Sequence, residues 1–510
     1  MGMSLSQFSK KSEKLPKEVP AQSIQCESGE TTITLGNSFC DVLASANVLK
    51  EIEKVLTYEN NEVIQELRQV RTGISVAIHY KNYKKAEILK ARVKELEAQQ
   101  KVCWFRNSSF PTGHISIVRE LLTKMGISPR LVDKRVKNTQ RMILEWIKEP
   151  HTLRHYQESA VQKATEEGRG VIVHAVGTGK TRTIQEICYR LKVPTLIISP
   201  AKDLSIQTYE DFKSMFGSAK VGYIEGSKKF KGAKAINVVT IHTLTSAYKN
   251  GLLDEILKGL GCVIIDEVHH FGADSYTDLL PHFKHIYYRF GCSGTFLRND
   301  SKTLDMMGFL SNVLHRYTAA EATKEGYLTP LKVRVHKVDG IFKPIYQKEY
   351  DKNYCNNPEL LFKVRDILKE ETKKTQQVLI LVGRKDKTGK YIHEYLKTLG
   401  YSADYVDGDC KRDDIKESIL KFNQKKVSIL IGSSVLGEGI DIRSTDHLIL
   451  ATGGKSEIQI SQALGRAVRL FEGKTEAVVH DFDFEGTKFL VKHLKIRMDI
   501  YRRNFEGEVI

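Results

Sequence analysis

The chain has 510 residues, of which 41% are hydrophobic and 28% charged, and its formal net charge is +17. This composition is ordinary for a soluble globular protein, and the length suggests about three domains that can each bury a core. No apolar run approaches the roughly 20 residues that span a bilayer, and the eight cysteines form no Cys-x-x-Cys pair. Membrane-spanning, zinc-binding and disulfide-stapled proteins are therefore disfavoured, and we expect a cytoplasmic protein with reduced thiols and a polyanionic partner.

The first 22 residues show no pattern of a folded element. Residues 1–20 are rich in lysine and serine, and they lack the apolar core of a signal peptide. We predict a disordered tail over residues 1–22 and a small α+β domain over residues 23–148.

Alternating and helical patterns succeed one another in this small domain. Strict alternation of apolar residues predicts strands, and apolar residues spaced three and four apart predict helices. The predicted strands cover residues 31–35 and 74–79, and the predicted helices cover residues 40–57, 83–100, 115–125 and 140–148.

Residues 101–141 are strongly basic, with nine lysines or arginines against two acidic residues. Trp104, Phe105 and Phe110 are interleaved with these charges, and Arg106 lies among them. Basic side chains bind phosphates and aromatic rings stack on bases, so the stretch is a candidate nucleic-acid surface with Arg106 as one contact. The alternative is that the aromatic rings belong to the core and the lysines to a solvated face.

Two longer bodies, residues 149–328 and 329–510, alternate short apolar runs with helical patterns. This alternation is typical of parallel sheets wrapped by helices, and turn residues at 326–330 indicate a hinge between the bodies. The predicted strands cover residues 170–173, 195–199, 235–239, 262–265 and 289–293 in the first body, and residues 378–382, 402–406, 427–431, 447–451 and 477–480 in the second. A basic helix is predicted at residues 486–505.

Residues 174–181 read His-Ala-Val-Gly-Thr-Gly-Lys-Thr, where a predicted strand turns into a predicted helix. Backbone N–H groups at such a helix start bind phosphate, and Gly177 and Gly179 let the backbone approach it. Lys180 can reach the β- and γ-phosphates, and the Thr181 hydroxyl can ligate Mg²⁺. A histidine replaces the first glycine usual in such loops. The predicted nucleotide-binding residues of this loop are Val176, Gly177, Thr178, Gly179, Lys180 and Thr181.

The apolar strand at residues 262–265 ends in two carboxylates, Asp266 and Glu267. The carboxyl end of a parallel strand lies at the sheet edge where ligands bind. Asp266 is suited to hold Mg²⁺ through water, and Glu267 to orient or deprotonate the attacking water. Together with Lys180, these residues predict a nucleoside triphosphatase.

Residues 462–469 read Gln-Ala-Leu-Gly-Arg-Ala-Val-Arg. Arg466 and Arg469 are three apart on a predicted helix, so they share a face and both can reach a γ-phosphate across a cleft. Phosphoryl transfer uses such an arginine to stabilise the charge of the transition state. Taken alone, the segment would fit a solvated surface helix better.

The order of these motifs, from about residue 150 to 480, resembles that of superfamily 2 helicases and translocases. The resemblance implies two RecA-like motor lobes with ATP between them, and an adenine-reading segment that contains Arg154 and Gln157. Gly294 departs from the alanine of the family's Ser-Ala-Thr motif. The implied roles are strand contacts by Pro200, Gln207, Thr240, Ser433 and Ser434, nucleotide contacts by Gly439 and Asp441, catalysis by Gln462 with Arg466 and Arg469, and coupling by Ser293, Thr295 and His269.

Two further segments resemble a narrower group, the UvsW-type phage helicases and the related XPB-type repair helicases. Residues 266–269 read Asp-Glu-Val-His, and an Arg-Asn-Asp sequence at 298–300 follows the Ser-Gly-Thr motif. Residues 104–118 resemble the end of the small domain that precedes the UvsW motor. The resemblance implies a DNA helicase or translocase that unwinds or remodels branched DNA, by fork reversal or junction branch migration, in replication, recombination or repair.

The expected partners are DNA, whether single-stranded, forked or in a junction, and replication or recombination proteins. We expect a monomer, located in the host cytoplasm if a phage encodes it. An RNA helicase or the motor subunit of a restriction system shares these motifs, although the chain shows no nuclease motif and the restriction role would need a partner chain. A third alternative is a non-catalytic nucleic-acid-binding protein with a decayed motor, which the intact Lys180, Asp266, Glu267 and Arg466 argue against.

Overall fold

The computed structural model describes residues 30–138, 140–226, 234–270, 279–294, 301–355, 357–372, 376–383, 388–433, 436, 442 and 445–509. The tail predicted over residues 1–22 lies outside these ranges. The chain divides into two compact units, the first ending at Arg135 and the second beginning at Val136.

A four-stranded sheet forms the core of the first unit, in the order β5-β2-β1-β6. Its strands are β1 (Thr32–Leu35), β2 (Phe39–Leu43), β5 (Ser109–Pro111) and β6 (Arg130–Asp133), and a separate two-stranded ladder joins β3 (Thr57–Glu59) to β4 (Lys101–Cys103). The helices are Ala46–Val55, Asn61–His79, Tyr83–Ala98 and Ile115–Lys124, with a 3-10 turn at Thr112–His114. Ile33 and Val42 of the sheet pack with Ile52 and Val118 of two helices, so this unit has its own core.

Two predicted elements of this unit are wrong. Residues 74–79 are the last turns of the helix Asn61–His79, not a strand, and the exposed Val76 and Ile78 of that stretch face no sheet. The predicted helix at 40–57 is divided between strand β2 and the helix Ala46–Val55, because Cys40 and Val42 alternate into the core before the helix begins.

The first sheet of the second unit has seven parallel strands in the order β13-β7-β12-β11-β8-β10-β9. They are β7 (Arg169–His174), β8 (Thr195–Ser199), β9 (Val221–Ile224), β10 (Ile236–Thr240), β11 (Cys262–Ile265), β12 (Tyr288–Ser293) and β13 (Val313–Tyr317). Apolar cores cover both faces of this sheet. The helices are His155–Glu167, Lys180–Leu191, Lys202–Phe216, Ile241–Lys249, Leu253–Leu257, Ser301–Leu310 and Ala319–Lys324, with 3-10 turns at Val268–His270 and Leu280–Phe283.

Residues 140–150 form no helix, although one was predicted at 140–148, and they lie along this first lobe. Met142 N–H donates to the Lys192 carbonyl at 2.8 Å and Ile147 N–H to the Met215 carbonyl at 2.8 Å. The Trp146 ring stacks on Phe216 with ring centroids 4.4 Å apart. The helix prediction is wrong because the apolar side chains of this segment find their partners on the lobe, and its backbone bonds to the lobe rather than to itself.

The second sheet of this unit also has seven parallel strands, in the order β16-β17-β15-β18-β19-β14-β20. They are β14 (Leu331–Asp339), β15 (Val378–Val382), β16 (Ala403–Val406), β17 (Ile429–Gly432), β18 (His447–Ala451), β19 (Ala477–Glu485) and β20 (Glu508–Val509). The helices are Tyr346–Tyr350, Pro358–Asp366, Thr388–Thr398, Arg412–Asn423, Glu457–Ala467 and Phe489–Phe505, with π-helical turns at Asp351–Cys355 and Ile367–Glu371.

The predicted fold class is confirmed: two parallel-sheet lobes follow a small α+β unit. Each strand predicted in the two lobes has its counterpart in the structure, within a few residues at the ends. In both sheets the parallel arrangement brings the carboxyl ends of the strands to one edge, which is where such folds bind ligands. Within the described ranges, no helix is both long and apolar enough to cross a bilayer.

Candidate nucleotide-binding site

The phosphate loop connects strand β7 to the helix Lys180–Leu191. Gly177 and Gly179 have φ angles of 87° and 84°, in the left-handed region that favours glycine. The Thr178 hydroxyl donates to the Ala175 carbonyl at 2.7 Å, which closes the loop on itself. The first turn of the helix therefore directs its backbone N–H groups toward the loop, as an anion site requires.

The segment with Arg154 and Gln157 is tied to this loop. The Gln157 amide nitrogen donates to the carbonyls of Thr178 and Gly179, both at 3.2 Å, and its oxygen accepts from Arg154 N–H at 3.0 Å. Tyr156 donates from its hydroxyl to the same Thr178 carbonyl at 2.6 Å. Both ends of the Gln157 amide thus contact protein groups, so its adenine contact stays a prediction while its link to the phosphate loop is direct.

The two carboxylates follow strand β11 at the same sheet edge. Glu267 has a φ of 47°, an unusual backbone conformation for a residue with a side chain, and its N–H donates to the Asp266 carboxylate at 2.9 Å. Lys180 Nζ lies 3.8 Å from Glu267 Oε1. The phosphate loop and the carboxylate pair, far apart in sequence, therefore form one cluster.

His269 and Ser293 extend this cluster. His269 Nδ1 lies 3.2 Å from Glu267 Oε2 and 3.1 Å from the Ser293 hydroxyl oxygen. A Cβ at Gly294 would lie 2.9 Å from Lys180 Nζ and 2.7 Å from Val176 Cγ2. The glycine that departs from the family's alanine thus allows the end of strand β12 to lie close against the phosphate loop.

The neighbouring carboxylates have pKa values shifted in opposite directions. Burial and the nearby Glu267 carboxylate raise the pKa of Asp266, although Lys180 opposes this. Burial by itself would raise the pKa of Glu267 too, but Lys180, the His269 hydrogen bond and the Gly294 N–H together lower it. The lowered pKa favours the ionised form of Glu267, which suits a group that orients or deprotonates water.

A helix of the second lobe, Glu457–Ala467, packs directly on the phosphate loop. A Cβ at Gly465 would lie 2.4 Å from Val176 Cβ, and a Cβ at Gly177 would lie 3.4 Å from Arg469 Cγ. Arg466 is buried on this helix and donates to the Gln462 carbonyl at 3.3 Å. The structure thus brings the helix with Gln462 and Arg466 to the loop that carries Lys180. Arg469 lies beside Gly177 but follows the end of this helix, so the prediction that it shares the helix with Arg466 is wrong.

Lys474 also lies in this region, although it belongs to none of the predicted motifs. Its buried ammonium donates to the carbonyls of Thr445 at 2.5 Å and Arg469 at 3.3 Å, and to the carbonyl of Ala467. Burial lowers the pKa of Lys474 to about 8, although Asp446 opposes this. The sequence signal for this role is a basic residue shortly after the end of a predicted helix, because such residues donate hydrogen bonds to the last carbonyls of the helix.

Three of the residues predicted to contact a nucleic-acid strand, Pro200, Thr240 and Ser433, lie at the carboxyl ends of strands. Pro200 follows β8, Thr240 ends β10 and caps the next helix by accepting from Thr243 N–H at 3.2 Å, and Ser433 follows β17. Gln207 lies on the helix that follows Pro200. Thr295, Ser434, Gly439 and Asp441 lie outside the described residues.

The basic stretch at 101–141 belongs partly to the first unit, where its aromatic residues are structural. Phe110 is fully buried, Phe105 is buried, and Trp104 packs against the same core. Arg106 is exposed and forms an isolated β-bridge with Ser109. The alternative of core aromatics is therefore the correct one, and Arg106 stays a predicted contact.

Two family models match the chain, and each falls on one lobe. The model of the type III restriction enzyme, res subunit, matches residues 150–298, and the model of the helicase conserved C-terminal domain matches residues 360–471. These matches contain the phosphate loop, the carboxylate pair and the helix Glu457–Ala467, named the arginine helix because it carries Arg466. The chain is a superfamily 2 helicase, and its sequence is similar to that of a UvsW-type helicase. It is therefore an ATP-hydrolysing enzyme. Its two-lobed fold, its phosphate loop and its carboxylate pair agree with this activity.

Relatives of this helicase are found in several viruses. It is 23% identical over 387 residues to "Putative helicase 22" of Sulfolobus islandicus filamentous virus, covering 70% of this chain and 68% of the relative. It is 23% identical over 424 residues to "ATP-dependent DNA helicase uvsW" of Enterobacteria phage T4, covering 75% and 81%. It is 25% identical over 401 residues to "Probable helicase D10" of Escherichia phage T5, covering 76% and 82%.

A solved structure agrees with the fold. A fragment of a putative HsdR subunit of a type I restriction enzyme from Vibrio vulnificus YJ016 matches with a TM-score of 0.53 and 18% identity, covering 81% of this chain and 76% of that one. At this identity the likeness concerns the arrangement of sheets and helices alone.

Proposed function

We propose that this helicase hydrolyses ATP between its two lobes and uses the resulting lobe motion to move along DNA and remodel branches. The observation that carries the proposal is the packing of Gly465 of the second lobe against Val176 of the phosphate loop. Because the arginine helix touches the loop that binds phosphates, nucleotide binding and release alter how the lobes pack.

Lys180 and the helix start bind the phosphates in this proposal, and Glu267 activates the attacking water. Arg466 and Arg469, with Gln462 one turn earlier, supply charge and hydrogen bonds to the γ-phosphate in the transition state. Arg154 and Gln157 read the adenine base in this proposal, supported by the direct hydrogen bonds of Gln157 to the phosphate loop. Nucleotide contacts by Gly439 and Asp441 complete the predicted set.

The donor set beside the loop fits Mg²⁺. Thr181 offers a hydroxyl and Asp266 a carboxylate, and such hard oxygen donors suit this cation. Burial and Glu267 raise the pKa of Asp266, so an added positive charge would favour its ionised form. When bound by these residues, Mg²⁺ offsets the negative charge of the phosphates.

Coupling of hydrolysis to movement is assigned to His269, Ser293 and Thr295. His269 contacts Glu267 on one side and Ser293 on the other. A shift of Glu267 on hydrolysis would therefore move His269 and, through it, Ser293 at the end of strand β12. Closure of the two lobes becomes a step along the nucleic acid because both lobes contact the strand. The proposed contacts are Pro200, Gln207 and Thr240 on the first lobe, and Ser433 and Ser434 on the second.

DNA is the proposed track because the T4 relative is described as a DNA helicase, and the net charge of +17 suits a polyanion. An RNA track and the motor role of a restriction system are the alternatives, the latter because the first-lobe model bears the name of a restriction subunit. Remodelling of branches is proposed because a motor of this type is joined here to a separate α+β unit.

The test compares stimulation of ATP hydrolysis by matched nucleic acids. Single-stranded DNA, a DNA fork, duplex DNA and single-stranded RNA of equal length are added at one salt concentration to the wild-type chain and to Lys180→Ala. We expect the fork and single-stranded DNA to stimulate the wild type most, and Lys180→Ala to be inactive with each of them. Stimulation by RNA above DNA would replace the DNA assignment, and wild-type turnover in Lys180→Ala would overturn the site.

A further inference from the structure

Residues 60–99 of the first unit form a helical hairpin. Its helices, Asn61–His79 and Tyr83–Ala98, rise from the two-stranded ladder of β3 and β4 and are joined at their far end by residues 80–82. At 1.5 Å per residue the longer helix extends for about 28 Å. The side chains of Asn60 and Asn82 cap the two helix starts by accepting from Val63 and Lys85 N–H groups.

The two helices pack against each other with little else around them. Among the hairpin side chains that the structure describes, only Leu67, Ala77, Ala86 and Leu96 are buried. At the far end Tyr80 is 76% exposed and Tyr83 66% exposed. Both rings therefore contribute little to the core, and they are accessible to a binding partner.

Charge is separated along the hairpin. Near its base Glu66 and Glu97 form ion pairs with Arg92 and Arg71. The far end, residues 74–91, carries one glutamate, Glu87, against four lysines at positions 81, 84, 85 and 90. All four lysines are exposed, and no described carboxylate lies within ion-pair distance of them. The far end therefore presents uncompensated positive charge beside two exposed phenol rings.

We propose that the hairpin tip, defined as residues 80–85, binds the branch point of the DNA on which the motor acts. The lysines of the tip bind backbone phosphates, and Tyr80 and Tyr83 stack on bases. Stacked bases inside a duplex offer no free ring face, whereas unpaired bases at a branch do. The combination of lysines and tyrosines thus suits a fork or junction better than continuous duplex. This inference rests on the proposed function, and it assigns the branch contact to the hairpin.

Two variants of the full-length chain separate the charge and stacking contributions. The charge variant is Lys81→Gln with Lys84→Gln and Lys85→Gln, and the stacking variant is Tyr80→Ser with Tyr83→Ser. The matched control removes the same charge from exposed lysines elsewhere in the first unit, namely Lys50→Gln, Lys54→Gln and Lys124→Gln. All substituted side chains are exposed, so we expect the far-ultraviolet circular dichroism and the melting temperature of each variant to match the wild type.

Binding to a DNA fork is measured by fluorescence anisotropy as a function of salt. We expect the charge variant to lower the slope of log K against log salt by about two, at about 0.7 to 0.9 per phosphate contact, while the control variant keeps the wild-type slope. The stacking variant removes two stacked rings and should lose at least about thirtyfold in fork affinity. It should keep its duplex affinity and lose the quenching of 2-aminopurine placed at the branch.

Two outcomes would overturn the inference. Fork affinity and salt slope equal to those of the control in both hairpin variants would show that the tip does not contact DNA, and would leave a protein as its partner. An equal loss on duplex and fork in the stacking variant would show that the tip does not select the branch. In either case, stimulation of wild-type ATP hydrolysis by DNA would show that the proposed motor function stands independently.

Discussion

Gly465→Ala is the most informative single substitution, because it adds one methyl group where the two lobes touch. The new Cβ would lie 2.4 Å from Val176 Cβ and 2.7 Å from Val176 Cγ1. Optimal carbon–carbon separations are about 3.5–4.0 Å, so the arginine helix and the phosphate loop must separate by about 1 Å. Overpacking of this kind costs about 1–3 kcal/mol, and the helix itself would be favoured by alanine.

The displacement falls on the helix that carries Arg466. A misplacement of about 1 Å costs on the order of a hundredfold in rate when it affects reacting groups. We therefore expect Gly465→Ala to lower kcat for DNA-stimulated ATP hydrolysis by about a hundredfold, with a small change in KM. The measurement is steady-state ATPase kinetics at saturating DNA.

The matched control is Gly454→Ala, which lies close in sequence to the start of the same helix. A Cβ at Gly454 would meet only Gln459 Oε1, at 3.9 Å, so this variant should keep the wild-type kcat. Wild-type turnover in Gly465→Ala would refute the reasoning, because it would mean that the packing of the helix on the phosphate loop is not the arrangement in which hydrolysis occurs.

Three further predictions follow from the same region and from buried histidines. Arg466→Ala should lower kcat by roughly a thousandfold and leave nucleotide affinity nearly unchanged; loss of affinity with kcat retained would make Arg466 a ground-state contact. Lys474→Met leaves three carbonyls without their donor and should lower kcat about tenfold, and an unchanged kcat would exclude a positioning role. Burial and neighbouring charges lower the pKa of His174 to about 3 and of His480 to about 2. Both stay neutral when folded and their unfolded pKa values are about 6.5, so each should cost about 1 kcal/mol of stability between pH 6.5 and 5.5. Urea unfolding of His480→Gln should show a weaker pH dependence than the wild type, and an identical dependence would contradict this.

The lobes were predictable from sequence because their signals are local. Short continuous apolar runs such as residues 262–265, next to turn residues, favour buried strands. The parallel arrangement then places Asp266 and Glu267 at a ligand-binding edge. Gly177 and Gly179 of the phosphate loop likewise indicate a left-handed backbone conformation, which glycine favours. These parts of the site needed no knowledge of distant contacts.

The missed elements depend on neighbours that the sequence does not reveal. The alternation of residues 74–79 is a weak strand signal inside a long helix that its partner helix Tyr83–Ala98 stabilises. Residues 140–148 have helical spacing, yet they form no helix, and Trp146 and Leu144 pack against the first lobe instead. Gly465 packs against Val176 of the other lobe, and Lys474 donates to the carbonyls of Thr445, Ala467 and Arg469. Only the folded chain brings these partners together.

The central claim, that this helicase uses ATP to remodel branched DNA, is tested most directly by following a fluorescently labelled four-way junction with the wild type and with Lys180→Ala. We predict that the wild type converts the junction into its two product duplexes when ATP and Mg²⁺ are present, and that Lys180→Ala does not. A wild-type chain that hydrolyses ATP rapidly with DNA but leaves both the junction and a matched fork unchanged would contradict the claim.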